Sequence, residues 1–277
     1  MWGGNEQNWD IFTSVKMSLK ELAPNYYIRL KRVIELAGSG KRILDVGCGD
    51  GFLESKLKKN FKEIYGIDLN ETDLAIAKIL NPEKRINFVK ASASKLPFKN
   101  DFFDVVVCTE VIEHIKEDSI VIDEIKRVLK RKGKLIITTP DKKFPFLYDP
   151  INYFLMRLSN KHIPIGVWGF GHIKLYDSED MIKLLKGFKV KKIIKDPHML
   201  TALIENYYLM NILQPLTKSN PKNQEKSLKD VKTLKKRILS KPPLFLIKLR
   251  DLFIKLDNFF YGNKEIGINM IVEAIKE

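Results

Sequence analysis

Ile43-Leu44-Asp45-Val46-Gly47-Cys48-Gly49-Asp50-Gly51 decides the fold: an apolar strand runs straight into three glycines at alternate positions. Glycine lets the backbone turn with positive φ and pass close to a ligand, because it has no Cβ to clash. Phe52, Leu53 and Leu57 then mark a helix whose amino terminus offers free N–H groups to a polar or anionic group. Strand, tight turn and helix in that order expect a nucleotide-like cofactor lying across the turn. The spacing lacks the terminal Lys and Ser or Thr of a phosphate-cradling loop, and Asp45 and Asp50 would repel a pyrophosphate. That argues against ATP and, less strongly, against NAD.

The next strand, Glu63 to Leu69, carries Asp68 at its end, about twenty residues beyond the glycines, where a carboxylate can accept both hydroxyl protons of a ribose. A helix follows from Glu71 to Leu80 with Asn70 as its cap. Further strands are expected at Ile86–Lys90, Phe103–Cys108 and Lys134–Thr139, with a helix over Ser119–Lys130 and a linker ending at Gly133. A leading helix is expected from about Met17 to Leu36. Strands alternating with helices imply a doubly wound, mostly parallel sheet covered on both faces.

From Asp141 to Phe170 the periodicity breaks into an aromatic-rich stretch interrupted by Pro145, Pro150 and Pro164. Regular structure resumes with a helix capped by Ser178, a strand over Phe188–Ile194 and a last strand over Ile268–Ile275. The expected organisation is one α/β domain over residues 1–197, including a substrate-cap segment at 141–172. A helical lid or interfacial insertion occupies 198–264, and 265–277 returns as the last strand.

With these elements in place, the chain resembles the class I S-adenosylmethionine methyltransferases, particularly the small-molecule group that includes quinone and sterol methyltransferases. The resemblance covers about residues 40 to 195 and the last strand. Leu96-Pro97-Phe98, Phe103-Asp104 and Glu110-Val111-Ile112-Glu113-His114 match in order as well as type. It implies a seven-stranded Rossmann-like sheet whose last strand is reversed, and S-adenosyl-L-methionine as cofactor. In that family the Leu44–Gly51 turn wraps the amino-acid part of the cofactor and the acid at Asp68 binds the ribose. The contacts expected from the resemblance are Asp45, Gly47, Cys48, Gly49, Gly51, Asp68, Leu69, Ser92, Ala93 and Thr109. Ser92 is a departure, since the family often has an Asp there that meets the adenine amino group; a serine hydroxyl can accept the same bond.

Glu110, Glu113 and His114 admit two uses. In the small-molecule family such residues line the mouth of the active site, where an imidazole takes the acceptor proton. Alternatively Glu110, Glu113, His114 and a returning His172 make a hard divalent-metal site for Mg or Mn, as in metal-assisted quinone O-methyltransferases and small-RNA ribose methyltransferases. His114, Glu113 and His172 are the catalytic candidates under either use. His172 has a third reading, as a substrate-binding or helix-entry residue.

Phe144, Phe146, Tyr148, Tyr153, Phe154, Trp168 and Phe170 read as a wall over an apolar acceptor or as a satellite core. Between Lys218 and Lys241 nine Lys or Arg stand against two acids, with Leu228, Val231, Leu234 and Ile238 at near-helical spacing. Leu244 to Phe260 then carries an apolar face opposite Lys248, Asp251 and Lys255, as a lid or an interfacial helix would. The net charge of +15 attracts anionic partners, membrane surface or RNA, although heat-adapted composition produces the same excess. The sixteen Phe and 44% apolar content exclude a disordered chain. Cys48 and Cys108 are the two cysteines, which excludes a disulfide scaffold and expects a reducing cytoplasm. The MWGGNEQNWD start shows no targeting signal, and no run reaches the about 18 apolar residues of a membrane span. The leading function is methyl transfer to an apolar or lipid-like small molecule. RNA ribose 2'-O-methylation and a noncatalytic cofactor-fold module are the rivals.

Overall fold

The computed structural model describes residues 22–146, 148–163, 166–168, 171–196, 201, 244–261 and 267–277. The Met17 start of the leading helix, Phe170, Pro164 and the basic run from Lys218 to Lys241 lie outside the described residues, as does most of the 198–264 insertion. The described elements are α1 (Pro24–Ala37), β1 (Gly40–Val46), α2 (Phe52–Leu57), β2 (Phe61–Asp68), α3 (Glu71–Leu80), β3 (Ile86–Lys90), β4 (Phe103–Thr109), α4 (Asp118–Val128), β5 (Leu129–Pro140), α5 (Pro150–Ser159), α6 (Ser178–Leu184), β6 (Phe188–Asp196), α7 (Leu244–Tyr261) and β7 (Asn269–Lys276).

Among the described residues seven strands form one sheet in the order β3-β2-β1-β4-β5-β7-β6. β1 to β5 pair in parallel, and β7 runs antiparallel to β5, the reversed last strand that the family resemblance implies. The order turns back between β1 and β4, and open α/β sheets bind ligands in the crevice beyond the carboxyl ends at such a point. The Gly47 turn and the Glu110 turn are the two that flank it.

Alternation along the strands sends Leu44 and Val46 to one core, with Val106, Cys108 and Ile137, and Ile43 to the other, with Ile64, Val105 and Ile136. Each of these side chains is almost wholly buried, and such burial contributes roughly 1.5–3 kcal/mol apiece. Asp104 ties the sheet at its other end: Oδ2 accepts from the N–H groups of Lys41 and Arg42 at 2.9 and 2.7 Å. Arg127 donates to the carbonyls of Leu96 and Phe98, which is what the Leu-Pro-Phe segment is shaped for.

Four expectations need correction. The cap of α6 is Asp177, whose Oδ1 accepts from Glu179 and Asp180 N–H groups while Asp180 accepts from Asp177 N–H, a capping box that leaves Ser178 as the first helical residue. β5 begins at Leu129, immediately after α4, and its register slips: the six positions Leu129 to Lys134 on β5 lie opposite the three positions Phe103 to Val105 on β4. The helix expected to Lys130 therefore stops at Val128. Within the stretch read as irregular, α5 forms where Asp149 caps and Pro150 supplies a preset φ in the first turn.

Contacts divide the chain into two units. One comprises Arg29–Lys142, Ile173–Lys195 and Asn269–Glu277 and contains most of the sheet. The other comprises Met1–Ile28, Lys143–His172 and Asp196–Ile268. In the second unit the buried Asp149 carboxylate accepts from Asn152 and from Val167 N–H, and Asn152 in turn accepts from Ile163 N–H. Phe144, Tyr148 and Trp168 are buried there, whereas Phe146 and Phe154 are exposed, so the aromatic stretch divides between a small core and a surface. On α7, Arg250 stacks over the Tyr27 ring at 3.6 Å. Its opposite side leaves Phe245, Leu249, Leu252, Leu256 and Phe259 exposed at helical spacing.

Candidate active site

Three successive amides of the glycine turn are pinned by the end of β2. Gly47 and Cys48 N–H groups donate to the Ile67 carbonyl at 2.8 and 2.9 Å, and Gly49 N–H donates to Asp68 Oδ2 at 2.9 Å. Gly47 has φ +79°, and a Cβ there would stand 2.3 Å from Val111 Cγ2, so both conformation and space demand glycine. Gly49 also has positive φ, at +50°, but among the described residues a Cβ on it would meet nothing within 4 Å. The first glycine is therefore a packing requirement, and the second opens the backbone to a ligand. Gly51 packs under Ala77, Asn81 and Phe88 and serves the helix contacts behind the turn.

Asp68 caps the end of β2 from both oxygens, since Oδ1 accepts from Asn70 N–H at 2.9 Å. Each oxygen keeps a second acceptor direction, which suits a pair of ribose hydroxyls. Leu69, beside it, is 66% exposed, an apolar surface at the strand end. Ser92 Oγ accepts from Ser94 N–H at 3.2 Å in a short turn after β3; Ala93 is buried and Thr109 half-buried at the end of β4. Asp45 is buried with Oδ1 lacking a hydrogen-bond partner, and burial, aided by the Asp68 charge, pushes its carboxyl well up. Unpaired buried carboxylates favour a cationic ligand. The residues present thus fit S-adenosyl-L-methionine.

The turn after β4 is built differently. Glu110 adopts φ +56°, the left-handed region, and is held there by its own ends: its N–H donates to Thr138 O, Thr138 Oγ1 donates to its Oε1 at 2.8 Å, and Arg29 lies 3.3 Å from Oε2. Glu113 is fully buried in the short 3₁₀ turn Ile112–His114, and neither carboxylate oxygen meets hydrogen-bond geometry. Burial, then the Glu110 charge, pushes its carboxyl well above the usual range. His114 Nε2 lies 3.9 Å from Glu113 Oε1. The Glu113 carbonyl accepts from Ile173 and Lys174 N–H groups. His172 immediately precedes them in sequence and ends the Lys143–His172 segment of the other unit.

Sequence reading missed the props of this corner. Tyr176 hydroxyl donates to Asp118 Oδ2 at 2.7 Å and lies 3.3 Å from Ile112 O, and Lys174 Nζ reaches the same Asp118 oxygen at 2.6 Å. Burial pushes Asp118 up, but these two donors outweigh it and hold the carboxyl below its ordinary value. Arg29 was missed likewise. The Gly171-to-Tyr176 segment carried the only signal.

A methyltransferase-domain family model matches residues 44–137, which run from the glycine turn through the Glu110 corner into β5. A ubiquinone biosynthesis O-methyltransferase of Pseudomonas entomophila (strain L48) is 34% identical over 183 residues, 62% of this chain and 74% of that protein. The chain belongs to the class I S-adenosylmethionine-dependent methyltransferases. A protein of the same name from Dechloromonas aromatica (strain RCB) is 34% identical over 54% of this chain and 66% of its own length, and the chain spans 56% of several others. The geranyl diphosphate C-methyltransferase of Streptomyces coelicolor A3(2) shares this methyltransferase fold at TM-score 0.55 and 12% identity, over 91% of this chain and 78% of that one. Among the described residues no helix is long and apolar enough to cross a membrane.

Proposed function

We propose that this methyltransferase methylates a hydroxyl oxygen on an apolar, lipid-like small molecule of the quinol or prenylated phenol kind. The observation that carries the reading is the 34% identity to ubiquinone biosynthesis O-methyltransferases over 156 and 183 residues. S-adenosyl-L-methionine supplies a methyl already activated on its sulfonium, so this chain chiefly aligns acceptor oxygen, carbon and sulfur and excludes water. Asp68 and the open face of Gly49 hold the cofactor; Leu69, Ser92 and Ala93 border its base, with Thr109 beyond.

Glu113 and His114 face the acceptor. An imidazole beside an orphaned buried carboxylate fits a divalent cation, and these two are the residues that would hold Mg or Mn, which would lower the acceptor hydroxyl's pKa. Without an ion, His114 takes the acceptor proton and Glu113 orients its ring. α7 carries an exposed apolar stripe of Phe245, Leu249, Leu252, Leu256 and Phe259. The same stripe, with Lys248 and Lys255, suits peripheral contact with an anionic membrane that stores such acceptors.

The test offers purified protein labelled cofactor with hydroxylated aromatics bearing progressively longer prenyl chains, and RNA in parallel at matched salt. Transfer that increases with chain length is expected. Cofactor binding with transfer only to RNA ribose would overturn the substrate reading, and binding with transfer to neither would favour a noncatalytic module. Chelation and Glu113→Gln test the metal, and flotation with anionic liposomes tests the surface contact.

A further inference from the structure

A second pair of acids sits beneath the glycine turn, and only one of them was visible as a site residue. Asp45 on β1 is in register with Gly66 on β2, and registered residues of parallel strands project to the same face of the sheet. Gly66 has no side chain there, and the space is taken by Glu54 from α2: a Cβ on Gly66 would stand 2.5 Å from Glu54 Oε1. Asp68, two residues after Gly66, projects to that face too and reaches Gly49 N–H. Glu54 is 0% exposed, and among the described residues neither of its oxygens has a hydrogen-bond partner beyond its own residue; Asp45 Oδ1 is equally without one there.

Two buried carboxylates with three of their four oxygens unpartnered among the described residues cannot both be ionised cheaply, since each charge loses its water and repels the other. The charges acting on Glu54 are Asp45 from the strand, Asp50 from the turn and Asp68 from β2, all acidic; the Cys48 thiol of the same turn is itself raised by Glu54. A proton shared between carboxyls resolves the conflict when no cation is present. A cation placed over the turn resolves it differently, by making both ionised forms tolerable.

We propose that Asp45 and Glu54 share one proton in the cofactor-free protein and release it to solvent when the cationic cofactor binds. This rests on the reading that the cofactor is S-adenosyl-L-methionine, which carries a sulfonium and an ammonium. Methyl transfer turns the sulfonium into a neutral thioether, so the pair takes a proton back while the product is still bound. Glu54 is in this sense a positioning residue for charge, acting through Asp45 and selecting the charged cofactor over its neutral-sulfur product.

The experiment is calorimetric titration of the intact protein with S-adenosyl-L-methionine in buffers of different ionisation enthalpy, repeated with S-adenosyl-L-homocysteine. Expected is net proton release on S-adenosyl-L-methionine binding, approaching one per site, with less for the homocysteine product. Affinity should climb with pH, at most about tenfold per unit. Glu54→Gln should bind with the buffer dependence largely gone. Binding without buffer dependence in the wild type overturns the proposal, as does a dependence unchanged by Glu54→Gln. No binding at all would instead strike the cofactor reading. Should Glu54→Gln fail to fold, infrared difference spectra of the wild type decide: loss of a protonated-carboxyl carbonyl band on adding S-adenosyl-L-methionine is expected, and its absence overturns the proposal.

Discussion

The turn after β1 and the turn after β4 both leave the carboxyl end of a central parallel strand, and both carry acids, yet they take their shape from opposite sources. After β1 the backbone does the work: glycines at Gly47 and Gly49 set the path, and the amides are tied to Ile67 O and Asp68 Oδ2. After β4 the shape comes from side chains brought from far along the chain. Glu110 is held in a left-handed conformation by Arg29 and Thr138, and the Glu113 turn is braced by Lys174 and Tyr176 through Asp118. A backbone site tolerates little change in residue type but announces itself locally. A side-chain site is silent until its distant partners are placed.

The largest effect should come from Asp68→Ala, which removes the acceptor for Gly49 and Asn70 amides together with two proposed ribose contacts. Charged hydrogen bonds contribute about 1.5–3 kcal/mol each, so cofactor affinity should fall on the order of 100-fold or more by calorimetry. A loss under about threefold would mean that the two turns do not differ as described. Next, Glu113→Gln should lower turnover about 100-fold while cofactor affinity stays nearly constant, because general acid–base or electrostatic help at the acceptor has about that size. Chelation should produce a similar loss, with Mn or Mg restoring the wild type and leaving Glu113→Gln unrescued. Full activity after chelation would instead assign His114 as the base.

A smaller effect is expected at a prop. Asp118→Asn keeps the shape but weakens the Lys174 and Tyr176 contacts, so turnover should fall roughly tenfold without a change in cofactor affinity, and stability should drop by about 1–3 kcal/mol. Equal falls in turnover and affinity would erase the distinction between the corners. The smallest effect concerns stability against pH. Asp45 and Glu54 titrate higher in the folded protein than in the unfolded chain, so their contribution is full below the ordinary carboxyl range, about 4, and is lost as pH rises through their raised values. Asp118 has the opposite sign: its contribution is present above that range and is lost as pH falls through its depressed value. In cofactor-free protein, Glu54→Gln should therefore gain a few degrees of melting temperature relative to wild type at slightly alkaline pH, and little at pH near 5. An unchanged alkaline limb would place the buried proton elsewhere.

Residue types and spacing by themselves determined the parallel sheet and the glycine turn with Asp68, because those depend on period, backbone conformation and contacts no more than about twenty residues apart. The reversal of the last strand came from the family resemblance, since β7 pairs with β5 at separations of 129 to 141 positions, from Pro140↔Asn269 to Lys134↔Ile275. Asn70 as the cap of α3 was legible for the same reason: the side chain bonds amides only two and three residues on. Glu110, Glu113 and His114 were legible as a group, but their division of labour was not. Only the tertiary structure assigned Glu110 to Arg29, 81 positions earlier, and left Glu113 fully buried with neither oxygen in hydrogen-bond geometry among the described residues. Glu54 was invisible for a sharper reason: in a six-residue helix it reads as an ordinary solvent-facing acid, and its burial follows from a missing side chain at Gly66 on the neighbouring strand. Local rules carry no information about where a second strand leaves a gap, and that gap is what places an acid beneath the cofactor turn.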